Sequence, residues 1–193
     1  MKKKGLSFYQ KKKKINKNLL KSILLMAFYT VVIVFVAYLC VFAFGMRTTV
    51  IGSAMEPGLH SGQVVLVNRM SYRIKAPKRN DIIVFLPNGN QNSHYYIKRV
   101  IGLPGERIII KNGFVFIDDE PFSENDKYDK MRDAGIAKQE ITLGPNEYFV
   151  LGDNRNNSED SRSGNIGAVK AETIYGKAWF KCKNGKETFG LVQ

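Results

Sequence analysis

From Ser22 to Met46 the chain carries no charged residue. Inside that window, Ile23 to Phe44 reads ILLMAFYTVVIVFVAYLCVFAF. A helix that crosses the hydrocarbon of a bilayer needs about 20 apolar residues, and this run has the length. A helix apolar on every side must also be surrounded by apolar material. The rest of the chain is too small and too polar to enclose it, which argues against a buried helix of a soluble domain. The expected organisation is therefore a tail over residues 1–22, a transmembrane helix over 23–44 and an outer domain over 47–193.

The tail sets the expected orientation. Lys2, Lys3, Lys4, Lys11, Lys12, Lys13, Lys14, Lys17 and Lys21 precede or enter the apolar run, and no acid occurs before Arg47. Basic flanks stay on the cytoplasmic side. The N-terminus is then cytoplasmic, the chain single-pass in the cell membrane, and residues 47–193 extracytoplasmic. Of the net charge of +13, nine units belong to this tail, leaving +4 for the remainder. The basic balance is thus a tail effect without interleaved aromatics. It fits membrane lipid with anionic headgroups as a partner and gives no case for nucleic acid. A cleavable signal peptide has an apolar region of about 7–15 residues and a small-x-small site. Here the run is longer and no such site ends it, so an uncleaved anchor is expected.

Two cysteines, Cys40 and Cys182, and two histidines, His60 and His94, are too few and too scattered for a disulfide framework or a metal site. No metal and no cofactor is expected. His60 is expected to cap or line a loop.

The outer domain reads as mainly β. Short β-branched and aromatic runs occupy 63–68, 81–85, 95–101, 107–110, 114–117, 147–151 and 178–182, bounded by Gly, Pro and Asn. Lys111-Asn112-Gly113-Phe114 is a hairpin signal, because Asn-Gly suits the tight turn whose twist matches paired strands. Residues 120–139 are charged and weakly apolar, and read as a surface loop or short helix.

Within the third run, alternation puts Lys98 on one face with Tyr96 and Val100, and Ile97, Arg99 and Ile101 on the other. Read alone, Lys98 is either a surface lysine laid along a sheet or an amine whose burial lowers its pKa enough for it to act as a base. The string Gly52-Ser53-Ala54-Met55-Glu56-Pro57-Gly58-Leu59 and the block Gly152-Asp153-Asn154-Arg155-Asn156-Asn157-Ser158-Glu159-Asp160-Ser161-Arg162 complete the candidate set.

Taken with Tyr96-Ile97-Lys98-Arg99-Val100-Ile101-Gly102-Leu103-Pro104-Gly105-Glu106, these blocks resemble, in order, the three core motifs of the type I signal peptidases. Those membrane-bound serine endopeptidases remove export signals from preproteins. The resemblance implies a single membrane helix followed by a β-rich catalytic domain, with a smaller β region inserted over residues 103–147, as in the compact Gram-positive form. It implies a Ser-Lys dyad with Lys98 as general base. The nucleophilic serine, which precedes Met-x-Pro, falls on Ala54. It further implies that Ser158 hydrogen-bonds the Lys98 amine, that Asp160 pairs with Arg162, and that Asp153 pairs with Arg99. The main-chain N–H of residue 54 would serve the oxyanion, with Gly52 or Ser53 as a second donor. Substrates would be preprotein signal peptides with small residues one and three positions before the cut, held by Gly52, Ser53, Met55, Pro57, Tyr95, Tyr96 and Ile97. Met55 reads equally as core packing.

A methyl group offers neither a lone pair for attack nor a proton for a base. Three explanations of Ala54 stand together: a replacement made to trap the protein, a natural non-catalytic relative that assists pilin or surface-protein assembly, or transfer of the role to Ser53. The retention of Lys98, Asp153, Ser158, Asp160 and Arg162 favours the first. Ser53 is disfavoured because a one-residue shift in an extended segment turns its side chain to the opposite face. A Ser-Lys self-cleaving regulator is a further class, set aside because a membrane anchor stands where such regulators carry a DNA-binding region.

Overall fold

The computed structural model describes residues 17–90, 93–123, 125–182 and 189–192. Most of the lysine tail lies outside that set. The chain separates into two units, residues 1–40 and 41–193. Helix α1, Lys17–Phe44, has no acid in its first turn and no base in its last. It is long and apolar enough to cross a membrane, and over Lys17–Phe42 none of its span is buried in protein. An unbroken apolar surface of this kind is stable only in a non-aqueous surround.

The second unit is antiparallel β. Its larger sheet runs in the order β1 (Met46–Thr49), β2 (Val64–Asn68), β11 (Ile174–Lys181), β3 (Ile82–Phe85), β4 (Tyr96–Gly102), β9 (Glu147–Leu151) and β10 (Val169–Lys170), with β12 (Gly190–Leu191) added to β11. The smaller sheet orders β7 (Glu120–Pro121), β6 (Phe114–Ile117), β5 (Arg107–Lys111) and β8 (Ile141–Thr142). All four strands of the smaller sheet fall between residues 103 and 147. The mainly β architecture with one N-terminal apolar helix is as expected.

The period-2 pattern explains how the larger sheet is buried on both faces. On β3, Ile82 and Val84 join one core cluster, with Met55, Leu59, Val65, Val67 and Ile97. Ile83 and Phe85 join the opposite one, with Val100, Tyr148 and Val150. A third cluster links the sheets through Ile101, Ile108, Val115, Leu143 and Phe149. Gly102 is required there, because a Cβ on it would stand 2.8–2.9 Å from Ile108, Leu143 and Phe149. The Asn112-Gly113 turn joins β5 to β6 with φ of 52° and 81°, the left-handed pair that a two-residue hairpin demands.

Two readings of local structure are corrected and one open alternative is resolved. The last long strand starts at Ile174 and ends at Lys181 rather than covering 178–182, because Ile174, Gly176 and Lys177 already pair with β3 and Gly176 closes against β2. Residues 120–139 contain no α-helix among those described, only β7 and two 3-10 turns. Residues 52–59 are turns, not an extended segment: the Glu56 N–H donates to the Ser53 carbonyl at 3.1 Å and the Leu59 N–H to the Met55 carbonyl at 2.8 Å. Gly52 with φ of 75° and Gly58 permit that compaction.

Candidate active site

Strand β4 carries the central residues. Lys98 faces Ile83 across the ladder and Arg99 faces Ile82. Pairing with β9 begins only at Arg99, which lies opposite Leu151. Tyr96, Ile97 and Lys98 therefore pair on the β3 side alone. Lys98 is 5 % exposed. Its ammonium lies 5.7 Å from the centroid of the Tyr96 ring, one alternation away on the same face. Burial pushes its pKa below the ordinary lysine value. Asp160, Glu159 and Asp153 oppose that shift and Arg162 assists it, but desolvation dominates. Of the two readings of Lys98, the buried amine holds.

Ala54 and Lys98 line one cavity of about 170 Å³. Val50, Ile51, Met55, Tyr95 and Ile97 form its apolar wall, with His94, Tyr96 and Glu159 as its polar groups. Met55 is 1 % exposed within the core and also bounds the cavity. Gly52, Ser53 and Pro57 lie outside the lining. The Ser53 hydroxyl accepts from Asn157 Nδ2 at 2.7 Å.

Arg99 and Asp153 meet through two parallel hydrogen bonds, Nε to Oδ1 at 2.7 Å and Nη2 to Oδ2 at 2.8 Å, with Nη1 on the Asn80 carbonyl at 3.0 Å. Asp160 and Arg162 pair similarly, Nε to Oδ1 and Nη2 to Oδ2, both at 2.8 Å. The Gly152 N–H donates to Asp160 Oδ2 at 3.1 Å. Both pairs are buried, and such pairs need these extra bonds to offset their desolvation. Ser158 departs from expectation: its Oγ is buried without a hydrogen-bond partner among the described residues. The side chain is packed over Gly152, so close that a Cβ there would stand 2.2 Å from Oγ, and this contact sets its direction.

The first and third blocks interlock through main chain. The Asn154 N–H donates to the Ala54 carbonyl at 3.0 Å, and Asn154 Nδ2 to the Ser53 carbonyl at 3.3 Å. Two glycines make the approach possible. A Cβ on Gly58 would lie 2.7 Å from Asp153 Oδ2, and one on Gly152 would lie 2.5 Å from the Ala54 carbonyl oxygen.

With this geometry, comparison with known proteins is decisive. The sequence model of the family described as signal peptidase, peptidase S26, matches residues 20–182. The chain belongs to the signal peptidase family. A signal peptidase I from Bacillus caldolyticus is 40% identical over 158 residues, covering 76% of this chain and 83% of that protein. Signal peptidase IB from Staphylococcus aureus strain N315 is 32% identical over 148 residues, covering 69% and 75%. A solved signal peptidase I from Enterococcus faecalis V583 is similar at 32% identity, covering 53% of this chain and 97% of that one, with a TM-score of 0.42.

Membership in the signal peptidase family bears out the resemblance read from the three blocks. Sequence reasoning passed over several residues of this signal peptidase-like site. Glu159 reaches the cavity and accepts from the Tyr96 hydroxyl at 3.1 Å, and an acid between Ser158 and Asp160 was a usable signal for it. Val50, Ile51 and His94 also line the cavity, and nothing local in their sequence marks them. No group of His, Cys, Asp and Glu among the described residues is arranged to hold a metal.

Proposed function

We propose that this chain is a membrane-anchored signal peptidase of the Ser-Lys type whose nucleophile position is held by Ala54, so that it binds export signals without cutting them. The observation that carries this reading is the cavity shared by residue 54 and the buried, pKa-lowered Lys98. A neutral amine there could take the proton of a hydroxyl on residue 54 as its oxygen attacked the scissile carbonyl carbon, then pass that proton to the departing amine. The resulting ester would be released by water. Among the described residues the Ala54 N–H has no hydrogen-bond partner, which leaves it available to the oxyanion. With a methyl at residue 54 the first transfer has no donor.

The signal segment would add as an extended strand along Tyr96 to Lys98, whose ladder is open on one side. Cavity size and its apolar wall favour small side chains such as alanine. The tail would remain cytoplasmic and the β unit extracytoplasmic. The engagement of the Ser53 hydroxyl by Asn157 supports an empty nucleophile position over a substitute at Ser53.

Ala54→Ser in full-length protein, assayed on a preprotein with an Ala-x-Ala site, is expected to start cleavage, and a further Lys98→Ala to abolish it. An Ala54→Ser variant that binds the preprotein yet stays inert would overturn the disabled-enzyme reading and favour an assembly factor.

A further inference from the structure

Residues 69–79 carry five cations, Arg69, Arg73, Lys75, Lys78 and Arg79, and no acid. The active site uses none of them. Arg79 is occupied by Glu106, and Arg69 lies over the rings of Phe42 and Tyr175. Arg73, Lys75 and Lys78 are exposed. Between two of them projects Ile74, 74 % exposed, from the short helix α2 (Ser71–Ile74).

Beside this segment is a cavity of about 390 Å³, larger than that at Lys98. Its apolar wall is Phe44, Met70, Tyr72 and Ile74, and its cations are Lys75, Lys78 and Lys177. One acid, Asp81, also lines it. Asp81 is already taken up within the protein: it pairs with Lys177 at 2.5 Å and accepts from the Tyr72 hydroxyl and the Lys78 N–H, each at 3.0 Å. Among the described residues Lys75 and Lys78 have no acidic partner, and they present positive charge at an apolar wall.

We propose that this cavity binds the phosphate headgroup of an anionic phospholipid, with Ile74 lodged among the acyl chains. The inference rests on the reading of α1 as a membrane anchor. Phe44 ends the apolar helix, so a cavity containing its side chain lies where hydrocarbon gives way to headgroups. An exposed isoleucine bracketed by Arg73 and Lys75 suits the same level, the apolar side chain entering the membrane while the long basic ones reach to phosphate. A free phosphate ion would use the lysines but leave the apolar wall and Ile74 in water, which singles out the lipid. Each basic residue close to an anionic surface strengthens association roughly fivefold.

Trp179 is the only tryptophan, and its ring centroid lies 6.2 Å from that of Phe44. It can therefore report lipid at this level. The full chain is reconstituted in phosphatidylcholine nanodiscs in which a minor fraction of the lipid carries brominated acyl chains, either phosphatidylglycerol or phosphatidylcholine. Brominated phosphatidylglycerol is expected to quench Trp179 at least threefold more strongly at equal content. Lys75→Gln with Lys78→Gln should weaken that preferential binding about twenty-five-fold without changing the melting temperature. Added inorganic phosphate should leave the quenching unchanged. Equal quenching by the two lipids, or an unchanged preference in the double variant, overturns the proposal. Displacement by inorganic phosphate also overturns it, in favour of a free-anion site. Quenching by neither lipid overturns the anchor reading along with it.

Discussion

Arg99 holds Asp153 in a two-pronged grip, 2.7 and 2.8 Å, on the face of β4 opposite Lys98. Adjacent residues of one strand thus supply a paired cation to the interior and a buried amine to the cavity. Replacing Asp153 by Ala leaves the Arg99 guanidinium buried without its counter-charge. Such a loss costs about 3–5 kcal/mol, and urea denaturation of Asp153→Ala should show a decrease of that size. A decrease below about 1 kcal/mol would mean that the pair is solvated in solution.

The pH profile of an Ala54→Ser variant should report Lys98. The proposed base works only when neutral, so the rate should rise with pH through its pKa, which burial sets below the free-lysine value of 10.5. Glu159 opposes that lowering. Glu159→Gln in the same background should move the acid limb of the profile to lower pH, measured as kcat/KM against pH. A shift to higher pH would contradict the arrangement of charges in the cavity.

Burial of Lys98 has a price in stability with a definite sign. Its folded pKa is lowered, so the unfolded chain binds more protons in the interval between the folded value and 10.5. Stability from this group therefore rises with pH across that interval and is lowest below it. Lys98→Met, which keeps the length of the side chain without the charge, should be more stable than the parent at neutral pH. The advantage should shrink as pH approaches the free-lysine range, as read from paired denaturation curves.

Gly152 has no room for a side chain: a Cβ built on it would stand 2.2 Å from Ser158 Oγ and 2.5 Å from the Ala54 carbonyl oxygen. Gly152→Ala should destabilise by about 1–3 kcal/mol, the usual range for overpacking. Adding Ser158→Ala should fail to restore stability, because the new Cβ would still stand 2.5 Å from both the Ala54 carbonyl oxygen and Ser158 Cβ. In an Ala54→Ser background the same change should cut activity by displacing residue 54.

Short-range chemistry made much of the molecule readable in advance. The apolar run from Ile23 to Phe44 announces α1 because lipid contact requires an uninterrupted apolar surface. The Asn112-Gly113 turn announces its hairpin because few other residues accept two successive positive φ angles. Alternation along Tyr96 to Ile101 separates Lys98 from Arg99 because a pleated strand turns successive side chains to opposite faces. Strand β1, by contrast, was not foreseen. Met46 to Thr49 lacks an alternating pattern and is strand only because β2 pairs with it, Arg47 opposite Leu66 and Thr48 opposite Val65.

By itself, then, the sequence determined the apolar helix, the β character of the remainder, the alternation around Lys98 and the absence of a hydroxyl at residue 54, since each follows from residue type and local spacing. Tertiary structure decided the rest. It compacted residues 52–59 into turns over Asp153, turned Ser158 onto Gly152, and drew Val50, His94 and Glu159 to one cavity with Lys98. Those outcomes depend on which distant strands pair and how closely their glycines let main chains approach, and no local pattern encodes a distance between segments a hundred residues apart.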